Sequence, residues 1–260
     1  MVGVLYRVGS RLIEAGLAAL DVDLRVEGAE HVPASGPGIL VSNHIGYLDF
    51  ALVMLAPPRP RREVRFLARK EFFDKPVLGM LMRRLGQIPV DVHGDPMAAA
   101  AATRAALESG ALVGLHPEGT ISPSFELRRA KSGAVRLAEQ TGAPIVPVAL
   151  WGSQRLLTKG RPLRPERHVT VLVRYGEPFV PEGRTAMVRT RTVMERIGAM
   201  LAELQDAYPQ TPDLDDPWWL PARLGGSAPT PGEAELRIAE QNARRRGTSG
   251  DSSSGDVTAQ

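Results

Sequence analysis

The sequence predicts an α/β fold with a mixed central β-sheet flanked by helices and an amphipathic helix at the amino terminus. Short apolar runs typical of buried strands alternate along the chain with longer segments of helical periodicity, and this alternation favours a layered architecture. The chain has 260 residues, of which 43% are hydrophobic, so one domain can bury a substantial core.

The first element is an amphipathic helix predicted over residues 1–20. Its apolar side chains recur mostly at three- and four-residue steps: Val4, Leu5, Val8, Leu12 and Ala15. Charged residues at 7, 11 and 14 interrupt the apolar run, which disfavours a spanning helix or a cleaved signal peptide. Two interpretations stay open: a helix packed on its own domain, and an interfacial helix in a membrane surface with its arginines at the headgroups.

Residues 21–208 are predicted to form the main domain. Apolar runs predict strands at 22–27, 38–42, 64–68, 87–90, 111–115, 145–150 and 169–175. Helical spacing predicts helices at 48–55, 72–85 with a break near Pro76, 96–108, 130–140 and 184–207. Strands and helices therefore alternate, as an α/β layer structure requires.

Residues 209–260 have a different composition, rich in Pro, Gly and Ser. Such a tail buries too little apolar surface to offset the entropy lost on ordering, so we expect it to be largely disordered apart from a helical patch at 233–245. The pair Trp218 and Trp219 is an exception, either a patch docked on the domain or an anchor at a membrane interface.

Composition excludes several kinds of site. The chain has no cysteine, which rules out disulfides, cysteine-ligated zinc and a thiol nucleophile. Its net charge is only +3, but basic residues cluster at 59–70 and 244–246, as suits anionic headgroups or phosphorylated substrates. Aromatic residues make up 5% of the chain and interleave little with these clusters, so we do not expect a nucleic-acid partner.

The segment Ser-Asn-His-Ile-Gly-Tyr-Leu-Asp at 42–49 carries the candidate catalytic residues, His44 and Asp49. An imidazole that takes a proton near neutral pH, oriented by a carboxylate, is the equipment of a general base. Five residues span about 500° on an ideal helix, so the contact needs a turn. Gly46 favours such a turn. Alternatively, Asp49 is only a carboxylate at the start of a helix and His44 an ordinary loop histidine.

A second segment, Gly-Leu-His-Pro-Glu-Gly-Thr-Ile-Ser at 114–122, also follows a strand-like run. With Asn43, His44 and Asp49, its run 117–120 resembles the Asn-His-x4-Asp and Pro-Glu-Gly-Thr signatures of the glycerolipid acyltransferases. That family places a second acyl chain on lysophosphatidic acid. The resemblance covers about residues 22–178 and implies a glycerol-3-phosphate acyltransferase-like fold.

The resemblance implies transfer of a fatty acyl group from an acyl thioester to the hydroxyl of a lysophospholipid, most directly 1-acyl-sn-glycerol-3-phosphate, giving phosphatidic acid. It assigns catalysis to His44 and Asp49, and acceptor binding to Glu118, Gly119 and Thr120. No cofactor or metal is implied, since acyl-CoA or acyl-carrier-protein is the donor. The lipid substrate favours a peripheral position on the cytoplasmic face of the cell membrane.

Arg128, Arg129 and Lys131 are expected to supply charge for a phosphate at the start of a helix, although they also fit a solvated basic face. They matter because Ile121 and Val92 stand where the family often has arginine, and each charge-assisted bond to a phosphate is worth ~1.5–3 kcal/mol. Either the three basic residues compensate or the acceptor is not lysophosphatidic acid. His116 stands where the family often has phenylalanine.

Two rival interpretations stay open. A divalent metal could be held by His44, Asp49, His116 and Glu118, although their spacing matches no zinc motif. The other rival is a membrane-binding protein that has lost catalysis. The missing arginines favour this second rival, and the presence of both His44 and Asp49 disfavours it.

Overall fold

The structure is a computed structural model that describes residues 2–55, 62–91 and 94–251. The strands are β1 (Asp23–Glu27), β2 (Gly38–Ser42), β3 (Val64–Arg69), β4 (Ile88–Val90), β5 (Leu112–Leu115), β6 (Ile145–Trp151) and β7 (Thr170–Tyr175). The helices are α1 (Val2–Ala19), α2 (Asp49–Leu55), α3 (Lys70–Phe73), α4 (Pro76–Arg84), α5 (Pro96–Glu108), α6 (Gly133–Thr141), α7 (Ala186–Asp206) and α8 (Pro231–Asp251).

The strands of the described residues form one seven-stranded sheet in the order β1-β7-β6-β2-β5-β3-β4. Neighbouring strands are parallel except for β6 and β7, which are antiparallel. The predicted α/β class with a mixed central sheet is therefore confirmed. β2 lies between β6 and β5, all three parallel, so the loops that leave their carboxyl ends meet at one edge of the sheet.

The central strand β2 is buried along its whole length, because helices cover both faces of the sheet. Leu40 packs in a core cluster that includes Leu52 of α2. Ile39 and Val41 point to the other face and pack in a second cluster that includes Ile197 of α7. A strand covered on both faces needs a continuous apolar run rather than an alternating one, which is the pattern of residues 38–42.

Helix α1 packs on the domain through one of its faces. Tyr6 and Leu17 are buried in the core, and the Tyr6 hydroxyl donates a hydrogen bond to the carbonyl of Met54 at 3.2 Å. The interpretation of a helix packed on its own domain therefore holds for this face. Among the helices in the described ranges, none combines the length and apolar content needed to span a bilayer.

Two predicted helices have different bounds in the structure. The segment expected at 72–85 is divided into α3 and α4, and Pro76 occupies the first turn of α4, where its missing N–H costs nothing. The helix expected at 130–140 begins only at Gly133. The backbone N–H of Lys131 donates instead to the carbonyl of Pro117 at 2.9 Å, which holds the preceding residues in a loop.

The chain divides into two compact units, one of residues 1–121 and 127–211, the other of residues 122–126 and 212–260. In the second unit, the expectation of a largely disordered tail does not hold for the described residues 212–251. Trp219 and Ile238 are buried there, and α8 begins at a capping box in which Thr230 and Glu233 exchange hydrogen bonds. The apolar residues of this segment are too sparse to show a periodic pattern, yet several of them are buried.

Candidate active site

Asn43, the first residue after β2, extends the sheet with its side chain. Its Nδ2 donates to the carbonyl of Leu150 at 3.0 Å, and its Oδ1 accepts from the backbone N–H of Leu150 at 2.8 Å. The carboxamide thus takes the place of one more strand residue beside β6. Because Asn43 is fully buried, these two bonds fix the point where the chain leaves the sheet toward His44.

His44 and Asp49 are in the contact that their spacing requires. The Nδ1 atom of His44 lies 2.9 Å from Oδ2 of Asp49. The side chain of Asp49 is fully buried, whereas 19% of the His44 side chain is exposed. The segment between them is a turn that ends where α2 begins, so the predicted turn is present and Asp49 is the first residue of the helix. The Asp49 side chain bonds to the turn before the helix, where it holds the imidazole of His44.

Asp49 accepts hydrogen bonds from four donors. Besides His44, these are the backbone N–H groups of Ile45 at 2.7 Å and Gly46 at 2.8 Å, both to Oδ2, and the hydroxyl of Ser153 at 2.6 Å to Oδ1. Burial by itself would raise the pKa of Asp49. The hydrogen bond and charge of His44 outweigh burial and hold the pKa below its usual value, so Asp49 stays a carboxylate.

The turn that carries His44 is packed tightly against the loop after β6. A Cβ atom at Gly46 would lie 3.0 Å from the carbonyl oxygens of both Leu157 and Ser153, so a side chain there would require these carbonyls to move. Thr158 donates from its hydroxyl to the carbonyl of Ile45 at 2.7 Å. These contacts fix the path of the turn.

Glu118, expected to bind the acceptor, is hydrogen-bonded to the two loops that carry His44 and Arg128. One carboxylate oxygen accepts from the backbone N–H of His44 at 3.0 Å and the other from the backbone N–H of Arg128 at 3.1 Å. Burial raises the pKa of Glu118 to about 8, although these two bonds favour the charged form. Both oxygens of this buried side chain are thus engaged with the protein backbone.

Gly119, Thr120 and Lys131 form the open side of the site. Gly119 has a φ of 73°, in the left-handed region, and the Lys131 Cε and Nζ atoms lie 3.5 Å from the position of a Cβ there. A side chain at residue 119 would therefore strain the turn, and its Cβ would be in ordinary van der Waals contact with the end of Lys131. Thr120 is half-buried, Lys131 is exposed, and Arg128 donates to the carbonyl of Glu118 at 3.4 Å.

His116 lies face to face with His44. The ring centroids are 4.1 Å apart and the ring planes are within 5° of parallel. Nδ1 of His116 is hydrogen-bonded to the hydroxyl of Ser42 at 2.9 Å, and Phe66 packs on the same ring at 5.5 Å. Burial, followed by the charge of His44, lowers the pKa of His116 to about 3, so this ring is neutral at ordinary pH.

The metal interpretation gains no support from the geometry. Within residues 2–55, 62–91 and 94–251, no three or more His, Asp or Glu side chains are grouped as metal ligands. The oxygens of Asp49 and Glu118 accept bonds from protein donors instead. Of the two positions that lack arginine, Ile121 is buried, and Val92 lies outside the described residues.

Sequence reasoning missed Ser153 and Thr158 as parts of the site. Ser153 stands two residues after β6, at the sheet edge where β2 and β5 also end. The available signal was a polar residue at the carboxyl end of a strand next to β2. It could be used only once the strand order was known, because the sequence does not say that β6 neighbours β2.

Residues 23–151 match the family model described as Acyltransferase. Through these residues the chain is similar to an acyltransferase domain. It is 31% identical over 142 residues to the chloroplastic 1-acyl-sn-glycerol-3-phosphate acyltransferase of Arabidopsis thaliana, covering 53% of this chain and 38% of that protein. The 1-acyl-sn-glycerol-3-phosphate acyltransferase of Bacillus subtilis is 28% identical over 142 residues, covering 53% of this chain and 69% of that protein.

The chain spans about two fifths of the length of its plant relatives, 39% for Brassica napus and 38% for Arabidopsis thaliana. The crystal structure of the 1-acyl-sn-glycerophosphate acyltransferase of Thermotoga maritima superposes with a TM-score of 0.66 at 24% identity. The match covers 79% of this chain and 81% of that one. It shows that the two proteins share a fold.

Proposed function

We propose that the protein transfers a fatty acyl group from an acyl thioester to the hydroxyl of 1-acyl-sn-glycerol-3-phosphate, with His44 as the general base. The observation that carries this proposal is the pair His44 and Asp49. Its carboxylate is buried and fully hydrogen-bonded, while the imidazole is partly exposed at the sheet edge where three parallel strands end. Names of the relatives above support the same reaction.

In the proposed step, Nε2 of His44 removes the proton from the acceptor hydroxyl. The oxygen attacks the thioester carbonyl, a C–O bond forms, and the C–S bond breaks. The thiolate leaves with the proton that the imidazolium returns. Asp49 fixes the ring so that Nε2 is the atom free to accept, and its negative charge stabilises the imidazolium. No enzyme nucleophile takes part, which suits a chain without cysteine.

The acceptor phosphate is proposed to bind over Gly119, between Lys131 and Arg128. The Lys131 ammonium lies beside Gly119, and the Arg128 guanidinium donates to the neighbouring carbonyl. Helix α6 starts two residues after Lys131, so its amino terminus adds a favourable dipole for an anion. Thr120 supplies a hydroxyl in the same turn. Glu118 supports this binding indirectly, because it accepts a hydrogen bond from the backbone N–H of Arg128.

A direct assay tests the reaction. Purified full-length protein is incubated with acyl-CoA or acyl-carrier-protein and a panel of lysophospholipids, and products are identified by mass spectrometry. We expect phosphatidic acid from 1-acyl-sn-glycerol-3-phosphate and little product from acceptors whose phosphate carries a head group. Hydrolysis of the thioester without acyl transfer, or no turnover with any acceptor, would contradict the proposal.

A second candidate is the same chemistry on a different acceptor. Ile121 is buried and apolar at a position where the resemblance leads us to expect a phosphate-binding arginine. An acceptor with less negative charge would need no such residue. The same panel separates the two candidates, because preference for an uncharged or zwitterionic lysolipid would favour the second.

Helix α1 supports a proposal of peripheral membrane binding, on the cytoplasmic face. Opposite its packed face it presents a row of exposed apolar residues at four-residue spacing, Val4, Val8 and Leu12, which are 57%, 49% and 69% exposed. Arg7 and Arg11 are exposed beside this row. One apolar face thus packs on the domain while a second suits an interface of anionic lipid.

Vesicle sedimentation tests this membrane proposal. The double variant Val8→Ser, Leu12→Ser should bind vesicles containing anionic phospholipid more weakly than the wild type, by about 30-fold if each loses roughly 1 kcal/mol of apolar burial. The matched control is Leu163→Ser, an exposed leucine outside α1. Equal binding by the double variant and the wild type would remove α1 from the proposed membrane contact.

A further inference from the structure

We propose that His116 is a positioning residue, whose ring face holds the imidazole of His44 in the orientation that its proton transfer needs. The inference rests on the proposed function of His44 and extends it to a residue with no assigned role. Asp49 fixes His44 at one atom only, Nδ1. A ring held at one atom can still rotate by small angles about its Cβ–Cγ bond. A flat ring in van der Waals contact with its face restricts that rotation.

The geometry of the two rings fits this role. Their centroids are 4.1 Å apart with planes 5° from parallel, so one face of the His44 ring is stacked on His116. His116 is itself held by the hydroxyl of Ser42, which belongs to the central strand, and by the neighbouring ring of Phe66. The support for His44 is therefore anchored in the sheet rather than in a loop.

The contact uses the face of His116 rather than its second nitrogen. Nε2 of His116 is buried and, among the described residues, has no hydrogen-bond partner. A phenyl ring at this position would therefore keep the stacking surface and lose only the bond to Ser42. The low pKa of His116 agrees with this role, since a second positive ring would repel the imidazolium that His44 forms during the reaction.

Three variants separate ring face from hydrogen bond. His116→Ala removes the face, and we expect kcat to fall about 10- to 100-fold because the reacting nitrogen is less well placed, with little change in KM for either substrate. His116→Phe should recover most of kcat. His116→Phe leaves the buried hydroxyl of Ser42 without its partner, which should lower stability. The double variant Ser42→Ala, His116→Phe removes both partners and should be more stable than His116→Phe alone.

Nuclear magnetic resonance of the histidine rings gives a measurement that does not depend on turnover. Stacking should shift the ring protons of His44 upfield, with the signals assigned by their loss in His44→Ala. The shift should persist in His116→Phe and disappear in His116→Ala. An inactive wild type that still shows this shift would contradict the proposed function but leave the stacking intact.

Several results would overturn the inference. They are a wild type without the upfield shift, a fully active His116→Ala, or a His116→Phe that is as impaired as the alanine variant while folded. In the last case the hydrogen bond between His116 and Ser42, rather than the ring face of His116, would be the contact that activity needs.

Discussion

Two His–Asp pairs in this chain have similar nitrogen-to-oxygen distances and different surroundings. His44 lies 2.9 Å from Asp49, and His168 lies 2.6 Å from Asp21. In the first pair the side chains are 19% and 0% exposed, and in the second they are 71% and 70% exposed. Only the first carboxylate also accepts bonds from two backbone N–H groups and a serine hydroxyl.

The difference shows that a short His–Asp distance does not by itself define a catalytic site. An exposed pair is separated by water at little cost, so its geometry is weakly fixed and its energy small. The carboxylate of Asp49 cannot move without breaking several bonds. His44 is also stacked on the ring of His116, so the orientation of its imidazole is fixed by protein contacts. The exposed pair supplies a matched control for each substitution in the buried one.

The largest expected effect is that of His44→Ala. Loss of a general base should lower kcat by about 10²- to 10⁴-fold. Stability should fall as well, because the substitution leaves the buried carboxylate of Asp49 without its imidazole partner. His168→Ala is the control, and acyl transfer measured by product formation should be unchanged in it. Acyl transfer at wild-type rates in the His44 variant would remove the proposed mechanism.

The next largest effect is expected for Asp49→Asn. The amide cannot fix the tautomer of His44 or stabilise its charged form, so kcat should fall on the order of 10²-fold. The melting temperature should also fall, since the amide group cannot accept bonds from every donor that meets the carboxylate. Asp21→Asn, the equivalent change in the exposed pair, should alter neither quantity. Similar changes in both variants would contradict the distinction between the pairs.

A smaller effect is expected from two basic residues at the open side of the site, half-buried Arg128 and exposed Lys131. Lys131→Ala or Arg128→Ala should raise the KM of the acceptor about 10-fold or more, because each removes a charge-assisted bond to phosphate. The KM of the thioester should change less. Arg136→Ala, an exposed arginine on α6, is the control. Equal changes in the KM of both substrates would show that these side chains do not bind the acceptor.

The last prediction concerns stability rather than turnover, and it is a dependence on pH. Burial raises the pKa of Glu118 to about 8, above the 4.5 of a free glutamate. The folded state thus keeps a proton that the unfolded chain releases, so this contribution is present in full below pH 4.5 and is lost as the pH rises toward 8. Within that window the free energy of unfolding falls by up to ~1.4 kcal/mol for each pH unit.

The test compares urea unfolding of the wild type and Glu118→Gln across this pH range. The variant has no ionisable group at residue 118, so its free energy of unfolding should fall less steeply with pH. Glu240→Gln, at an exposed position, should follow the wild type. Parallel curves for all three proteins would mean that Glu118 keeps an ordinary pKa.

The sequence allowed the strands and the contact between His44 and Asp49 to be predicted because both are local signals. The run 38–42 is continuously apolar, and the five-residue step from His44 to Asp49 requires a turn. Contacts between distant segments could not be predicted in this way. Glu118 was assigned to acceptor binding by resemblance, and its bonds to His44 and Arg128 could not be predicted because they depend on where two loops meet. In the second unit the helical patch at 233–245 was predicted within α8, but the burial around it was not, since its apolar residues are too sparse to show a period.

One carboxyl group connects the two halves of the proposed chemistry. The backbone N–H of His44 and that of Arg128 are hydrogen-bonded to opposite oxygens of Glu118. The loop that carries the proton acceptor and the loop that carries positive charge are therefore coupled mechanically. If a lipid headgroup displaces the second loop, either the first loop moves with it or a buried hydrogen bond is broken. Recognition and reactivity in this protein are linked through a single side chain.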